Sequence, residues 1–488
     1  MFTLLMIVVP LAGGLVAMAL PGLRARLVAS LAAAATALLG LWVALAFGPD
    51  LASGAASRLD FSLPWIPGWG LSFSLCLDGL SLALVILTVL VSPVALLVAT
   101  RKAGPGPDRR SSVLYGLILA MEAGLVGVFA ARDAVVFYLF WELALVPIYF
   151  IAAFWGGEKR LPVTLKFFVY TVVGSLFMLF GIIYVHGYAG GSFALSSFQA
   201  AKLPSGVAPW IMACFALAFA IKMPLFPFHT WQSDTYHEAP AAGTILLAAL
   251  MAKMGLYGVL RWMLPVFPEA FGAFQTVFVV LGLIGVIWGS LAALAQKDMK
   301  RLLAWSSFAH TGLMAAGIFS LGLVGLQGGL VQMLAHGLSI AGLFLAVDIF
   351  EERTGSRLIG AVGGLAHRNG AFAVLFMLLV LSAIGLPLTA GFVGEFLLLL
   401  SLSKLGLWWA LAGGLGVILG AVLYLQWARK SFFGPSPDKV PAFKLRNSEA
   451  IALGALAVAG LALGIYPKPL LVLAGPALEA IARIAGAR

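Results

Sequence analysis

Long apolar runs alternate with short polar gaps along almost the whole chain. About fourteen of these runs hold roughly 20 residues each, the length that an α-helix needs to cross the hydrocarbon core of a bilayer. The pattern therefore predicts an all-α polytopic membrane protein. The predicted spans are 2–20, 27–47, 78–100, 112–131, 134–154, 164–186, 208–230, 240–262, 274–295, 302–320, 327–350, 372–398, 407–430 and 449–466.

Lysine and arginine are divided unevenly between the gaps. Together with the adjoining span ends, the connections after odd-numbered spans hold nineteen of them and those after even-numbered spans hold five. Because cytoplasmic loops carry an excess of Lys and Arg, the odd-numbered connections are predicted to be cytoplasmic and both termini to face outward. The tail Pro469–Arg488 is expected to lie in the membrane interface.

Composition agrees with the hydrophobic pattern. Of 488 residues, 62% are apolar and 10% are charged, and the formal net charge is +11. The basic residues fall in short loops between spans, which argues against nucleic-acid binding. The two cysteines, Cys76 and Cys214, form no CxxC pair, so a disulfide framework, a zinc site or an iron–sulfur cluster in this chain is not expected.

Several ionisable residues fall inside the predicted spans. A charge at the centre of a membrane helix costs roughly 2.5–3.5 kcal/mol, so such residues are candidates for function. Structural interpretations remain open: a carboxylate and a lysine can form a static pair, and a buried histidine often only completes a core. Asp348, Glu351 and Glu352, which end span 11, are expected to be solvated. The candidates are Glu122, Glu142, Lys222, Lys253, His310, His336 and Glu395.

Two spans contain helix breakers next to a candidate charge. Pro224 and Pro227 follow Lys222 in span 7, so this lysine is expected at the C-terminal end of a half-helix, where the helix dipole favours a cation. Pro387 precedes Glu395 in span 12, so this carboxylate is expected to open a half-helix, where the dipole favours an anion. Discontinuous helices of this kind are typical of transporters.

The positions of these features repeat along the chain. Lys222 and Glu395 are 173 residues apart, and Glu142 and His310 are 168 apart. This offset corresponds to five spans and predicts two five-helix repeats that are inverted in the membrane. The predicted units are 1–110 (helices 1–3), 111–265 (first repeat, helices 4–8), 270–432 (second repeat, helices 9–13) and 433–488 (helix 14 and the tail).

Several strings resemble the antiporter-like, proton-pumping membrane subunits of respiratory complex I, bacterial NADH:quinone oxidoreductase. Within that family, the segment around Gly394 and Glu395 is similar to the subunit M branch, since the other branches usually carry Lys in place of the glutamate. The strings are Phe140-Trp141-Glu142, Phe226-Pro227-Phe228-His229-Thr230-Trp231, Glu238-Ala239-Pro240, Asp298-Met299-Lys300-Arg301 and Gln332-Met333-Leu334-Ala335-His336.

The resemblance implies a proton channel made of two inverted half-channels. It implies Glu142 and Lys222 as a coupling pair, with Lys253 as the central relay. His310 and His336 follow as relay histidines, Glu395 as the outward exit, and Glu122 as a family carboxylate on span 4.

The resemblance also implies partners and a location. No cofactor is expected in this chain, while NADH, FMN, iron–sulfur clusters and quinone are expected in partner subunits. The expected partners are other membrane subunits, including neighbouring antiporter-like ones, and the lipid bilayer of a bacterial inner membrane, with both termini on the periplasmic side.

Three other interpretations stay open at this point. The chain resembles, less closely, a subunit of a multi-subunit cation/proton antiporter or of a membrane-bound energy-converting hydrogenase. A purely structural scaffold is the third, and it predicts that all the buried charges tolerate neutral replacement. Partner subunits with quinone or iron–sulfur sites would separate the first two from complex I.

Overall fold

A bundle of long helices makes up nearly all of the protein. The computed structural model describes residues 1–54, 59–102, 108–361, 363–434 and 443–486. Within these ranges, 12 helices are long and apolar enough to cross a membrane. Two further crossings are each built around shorter helices, at the predicted broken spans 7 and 12. The all-α polytopic fold class with about fourteen crossings is confirmed.

The helices follow one another with short connections. In chain order they are α1 (Phe2–Ala19), α2 (Gly22–Ala52), α3 (Gly79–Lys102), α4 (Arg109–Ala130), α5 (Ala134–Trp155), α6 (Arg160–Tyr188), α7 (Leu195–Ala200), α8 (Ala208–Lys222), α9 (Gln232–Glu238), α10 (Ala241–Leu246), α11 (Ala252–Gly258), α12 (Pro268–Leu294), α13 (Met299–Phe319), α14 (Leu323–Thr354), α15 (Leu365–Arg368), α16 (Gly370–Ile384), α17 (Ala390–Leu405), α18 (Leu407–Ser431), α19 (Asn447–Ile465) and α20 (Lys468–Ile484).

Short polar residues fix where several of the helices begin. The side chains of Asp108, Asp133, Asp298 and Asn369 each accept a hydrogen bond from a backbone N–H in the first turn of α4, α5, α13 and α16. These bonds satisfy N–H groups that have no partner inside a helix. The helix starts are therefore encoded locally, and they set the register of the functional residues that follow.

A small β-hairpin departs from the predicted all-helical pattern. Strands β1 (Phe61–Ile66) and β2 (Leu71–Leu75) pair antiparallel, in a segment where the sequence predicted no regular element. The hairpin continues into an isolated bridge between Leu75 and Ala131, so it covers the turn between α4 and α5. The sequence did not predict the hairpin because the alternation of apolar and polar residues covers only a few positions in each strand.

Both broken helices are confirmed, with corrected boundaries. Helix α8 ends at Lys222 as predicted. The second break spans residues 385–389, and Glu395 lies in the second turn of α17 rather than at its start. Since the dipole effect falls off within the first turn, the helix stabilises this carboxylate less than the sequence suggested.

The charged residues at the end of α14 are not all solvated, and the prediction for Asp348 is wrong. Asp348 is buried and lies 3.3 Å from the Arg101 guanidinium of α3. Glu449 of α19 is also buried and lies 3.0 Å from the same guanidinium. Arg101 also pairs with Glu352, whose side chain stays partly exposed. A buried ion-pair cluster therefore joins the ends of α3, α14 and α19.

The C-terminal tail forms helix α20, which packs against α2, α3 and α14. One side of it is buried, including Leu470, Ala474 and Leu478. Gly79, the first residue of α3, touches its backbone, since a Cβ on Gly79 would lie 1.8 Å from the Leu473 carbonyl oxygen. The position of this helix at a membrane interface stays a prediction.

Candidate functional site

Lys253 lies in a locally distorted helix. The crossing Ala241–Met263 contains two π-helical segments, Leu247–Met251 and Val259–Met263, on either side of α11. Such segments disturb the regular hydrogen-bond ladder and are frequent at functional sites. Here a carbonyl of the first segment, that of Ala248, accepts a 2.7 Å hydrogen bond from the Lys253 amine. The distortion thus provides a polar partner for a lysine that is only 1% exposed.

A histidine from the predicted second repeat contacts Lys253. Lys253 Nζ lies 2.7 Å from Nδ1 of His336 on α14. At this distance the amine donates to an unprotonated ring nitrogen or accepts from a protonated one, so the contact can carry a proton in either direction. The His336 ring is 5.4 Å, centroid to centroid, from that of His310 on α13.

The line of buried titratable side chains that begins at Lys253 ends at a carboxylate. His310 Nδ1 lies 3.6 Å from Glu395 Oε1, too far for a direct hydrogen bond. A cavity of about 20 Å³ lies beside both side chains and is also lined by Ser306 and Ser290. This volume is enough for a water molecule, which would bridge the two groups. The structure therefore brings four of the predicted residues into one row: Lys253, His336, His310 and Glu395.

Two glycines allow the carboxylate to occupy this position. Gly385 ends α16 with a left-handed φ of +76°, and a Cβ there would lie 2.2 Å from Glu395 Oε2. Gly394 lets α17 approach α14, because a Cβ there would lie 2.2 Å from the Gln332 Oε1 atom. Only glycine combines the required backbone angle at residue 385 with space for the neighbouring carboxylate.

Replacing Gly385 by alanine is expected to displace Glu395. The substitution Gly385→Ala adds a methyl group that would overlap the Glu395 carboxylate. It also strains a left-handed backbone position by about 1–2 kcal/mol. We expect proton pumping by the assembled complex to fall strongly while the complex still forms. The matched control is Gly414→Ala in α18, where a Cβ meets nothing within 4 Å. Equal pumping by both variants would show that the position of Glu395 is not critical.

Lys222 and Glu142 form a looser arrangement than the predicted pair. No oxygen of Glu142 comes within 4.0 Å of Lys222 Nζ, although both residues belong to the described part of the chain. Lys222 Nζ also has no hydrogen-bond partner among the described residues. Lys222 Nζ instead lies 4.9 Å from the centre of the Trp141 ring, in the range of a cation–π contact. Glu142 is only partly buried. Lys222 therefore contacts the aromatic ring directly, while Glu142 lies beyond ion-pair distance.

The broken end of α8 packs on the helix that carries Lys253. A Cβ on Gly255 would lie 2.7 Å from the backbone nitrogen of Met223, the residue after Lys222. The freed carbonyl of Ile221 is satisfied by the Trp231 indole, whose Nε1 donates over 3.0 Å. The two lysines therefore lie on elements in close contact, with no direct hydrogen bond between them among the described contacts.

Glu122 stands apart from the row. It is fully buried in α4, and neither carboxylate oxygen has a hydrogen-bond partner among the residues that the structure describes. An unpartnered buried carboxylate is costly when ionised, so the group is expected to be protonated or hydrated. The structure does not connect it to the other candidates.

A large polar cavity opens on the side of the predicted cytoplasmic loops. It measures about 690 Å³, and its lining includes Phe344, His237, Asp298 and Arg357. Burial raises the pKa of Asp298, but the nearby His237 ring, a hydrogen bond from the Arg301 backbone N–H and the Arg357 guanidinium, whose Nε donates to Oδ2, lower it to about 2. We call this cavity the vestibule. Asp298 therefore stays ionised and forms an ion pair with Arg357 in the vestibule wall.

Some candidate functional residues were not found from the sequence. Trp141 was noted only as a neighbour of Glu142, and the adjacency of the two was the available signal. The π-helical segments left no signal, because their residues have ordinary helical composition. Tyr236, whose hydroxyl donates to the Leu247 carbonyl over 3.2 Å between the vestibule and Lys253, was likewise missed.

Comparisons with known proteins agree on one family. A family model described as NADH:quinone oxidoreductase/Mrp antiporter, transmembrane, matches residues 131–420, more than half of the chain. A protein from Rhodobacter capsulatus named NADH-quinone oxidoreductase subunit M is 36% identical over 469 residues, which cover 93% of this chain and 90% of that protein.

Solved structures show the same fold. A chain of respiratory complex I from Thermus thermophilus with bound NADH matches with a TM-score of 0.90 and 33% identity, over 100% of both chains. A chain of the Mrp complex from Dietzia sp. DQ12-45-1b matches with a TM-score of 0.87 and 23% identity, over 99% of this chain and 98% of that one. The second likeness concerns the fold alone.

Proposed function

The chain belongs to the family of antiporter-like membrane subunits of NADH:quinone oxidoreductase that includes subunit M, and from this premise we propose how its own residues translocate protons. The proton passes along the row that begins at Lys253 and ends at Glu395. In this proposal quinone reduction in other subunits supplies the energy, as the name of the relative, NADH-quinone oxidoreductase subunit M, suggests. The chain itself acts as the translocating part of the enzyme.

The observation that carries this proposal is the contact between Lys253 and His336. It joins the predicted first repeat, 111–265, to the predicted second repeat, 270–432, by a 2.7 Å link between two titratable groups. A scaffold would gain little from a lysine and two histidines in line, because each buried ionisable group costs free energy. A proton carrier requires such a line.

In this proposal Glu142 and Lys222 control when a proton is delivered to Lys253, the first member of the row. Desolvation favours the neutral lysine, and an approaching carboxylate favours the charged one. The structure holds the two groups apart, with Lys222 over Trp141. In this proposal the arrangement precedes proton release toward Lys253, since the ring favours the charged lysine while the carboxylate lies beyond ion-pair distance.

The vestibule is the proposed intake for protons. Tyr236 and the first π-helical segment lie between it and Lys253, since the Tyr236 hydroxyl contacts Leu247 and the Lys253 amine contacts Ala248. Its side of the protein carries the basic loops, and by the loop-charge rule this supports an intake in the cytoplasm and both termini in the periplasm. The proposed location is the bacterial inner membrane, with NADH, FMN, iron–sulfur clusters and quinone held by partner subunits.

Replacing a histidine in the middle of the row tests the proposal. In the purified complex reconstituted in vesicles, His310→Ala is expected to lower the number of protons pumped per NADH oxidised. The reason is that the step from His336 to Glu395 loses its intermediate acceptor. The measurement is pH-dye quenching set against NADH consumption. His367→Ala is the matched control, since His367 is exposed on α15. An unchanged proton yield in His310→Ala would rule out the row as the path.

Degrees of identity favour complex I over the multi-subunit antiporter. The subunit M relative and the complex I structure are 36% and 33% identical to this chain, whereas the Mrp antiporter chain is 23% identical. The glutamate at position 395 points the same way. Purification of the chain with its native partners distinguishes the proposals directly, since complex I predicts co-purified quinone-binding and iron–sulfur subunits.

A further inference from the structure

A second polar cluster lies at the end of the bundle that faces outward by the loop-charge rule, and the proposed row does not use it. Asp78 precedes α3, Arg132 lies in the turn between α4 and α5, and Arg261 lies in the second π-helical segment. Asp78 Oδ2 is 2.5 Å from Arg261 Nη2 and 3.0 Å from Arg132 Nη2. We call these three residues the Arg–Asp cluster.

The cluster is connected inward to the level of Lys253. Tyr257 follows Lys253 by four residues on α11, so these two side chains share one helix face. The Arg261 guanidinium lies 5.6 Å from the centre of the Tyr257 ring. The Tyr257 hydroxyl donates to the Phe129 carbonyl over 2.7 Å and lies 3.1 Å from Ser81 Oγ. A column of polar groups thus runs from beside Lys253 to the outer surface.

Glu122 lies on α4, the helix whose Phe129 carbonyl accepts a hydrogen bond from Tyr257. It precedes Phe129 by seven residues on α4, which is two helical turns, so both residues are on one face of that helix. Without a barrier, protons from the outer side would have a short route inward past Tyr257 to Lys253. Such a route would let translocated protons leak back and would lower the net yield of pumping.

The chemistry of the Arg–Asp cluster suits it to block protons and not to conduct them. Arginine does not release its proton in proteins, and two guanidinium groups against one carboxylate leave a net charge of +1. Burial raises the pKa of Asp78, but Arg261 and Arg132 hold that pKa well below its usual range, so the carboxylate carries no proton either. Fixed positive charge in a narrow path excludes protons and cations.

The surrounding structure narrows this end of the column. The Arg261 side chain is 8% exposed. The start of α3 is fastened to α4, since the Cys76 N–H donates to the Ala130 carbonyl over 2.8 Å. Helix α20 lies against Gly79 from the other side. Asp78 and Arg132, which are 25% and 17% exposed, are the outer members of this column.

We propose that the Arg–Asp cluster is an electrostatic plug that closes the outer end of the first predicted repeat to protons. Protons on Lys253 then leave only along the row to Glu395. This inference rests on the proposed function. It assigns Arg261 and Arg132 a role in preventing back-leak, which is separate from transport along the row.

The test measures passive proton leak through the intact complex in vesicles, without NADH. An imposed pH gradient, with potassium and valinomycin to cancel the membrane potential, is followed with a pH-sensitive dye. Arg261→Gln is expected to speed its decay several-fold. Lys202→Gln is the matched control, because Lys202 is an exposed cation in another connection of the same predicted side. Arg132→Gln provides a second variant if Arg261→Gln does not assemble.

Asp78→Asn separates a plug from a merely structural ion pair. This change breaks both ion pairs but leaves both positive charges, so a plug predicts that vesicles stay as tight as with the unmodified complex. If Asp78→Asn leaks as much as Arg261→Gln, or if neither arginine variant leaks, the plug is disproved. Neither outcome affects the proposed function, which is judged from NADH-driven pumping by the row variants.

Discussion

The substitution Lys253→Met is expected to abolish proton pumping through this subunit. Methionine matches lysine in length and tolerates burial, but it cannot carry a proton. It also removes the contacts with Ala248 and His336, both 2.7 Å long in the structure. Loss of a positioned proton-transfer group typically slows a reaction by about 10²–10⁴-fold, so the flux should fall to the background of the assay.

The measurement is NADH-driven acidification of vesicles that contain the purified complex, with NADH oxidation recorded in parallel. Lys166→Met is the matched control, since Lys166 lies near the start of α6, partly exposed, and donates to the Thr230 carbonyl. Because methionine suits a buried position, the variant complex should assemble. Normal pumping by Lys253→Met would exclude the lysine as a carrier and leave the row without its first member.

The second large effect concerns stability and not transport. Glu449→Gln is expected to loosen the start of α19, because Glu449 is fully buried and lies 3.0 Å from Arg101 and 3.3 Å from Arg353. Removing one partner of a buried ion pair leaves charge uncompensated and costs about 3–5 kcal/mol. The opening equilibrium of this helix end should therefore rise by about 10²-fold or more.

Hydrogen–deuterium exchange of the α19 amides in the purified complex measures this opening. Glu479→Gln is the matched control, since Glu479 is exposed on α20. Pumping measured at low temperature should stay near normal, because the cluster does not touch the row. Unchanged exchange in Glu449→Gln would mean that packing, and not the ion pairs, holds α19 in place.

The sequence determined the fold class and most of the candidate residues. Apolar runs of about 20 residues have one stable solution in a bilayer, the helix, because every backbone polar group must be satisfied within the segment. The prolines after Lys222 and before Glu395 located both helix breaks for the same local reason. An ionisable residue inside an apolar run is easy to recognise in a sequence, and its burial in the membrane costs free energy. The seven candidates could therefore be selected without a structure.

Only the tertiary structure decided which of these candidates act together. Contacts such as Lys253 with His336 join residues 83 positions apart, and no local pattern specifies them. The same holds for the separation of Glu142 from Lys222 and for the burial of Asp348, which the sequence placed in solvent. Local chemistry fixes where a helix starts, breaks and ends, whereas the packing of all helices fixes which buried charges meet.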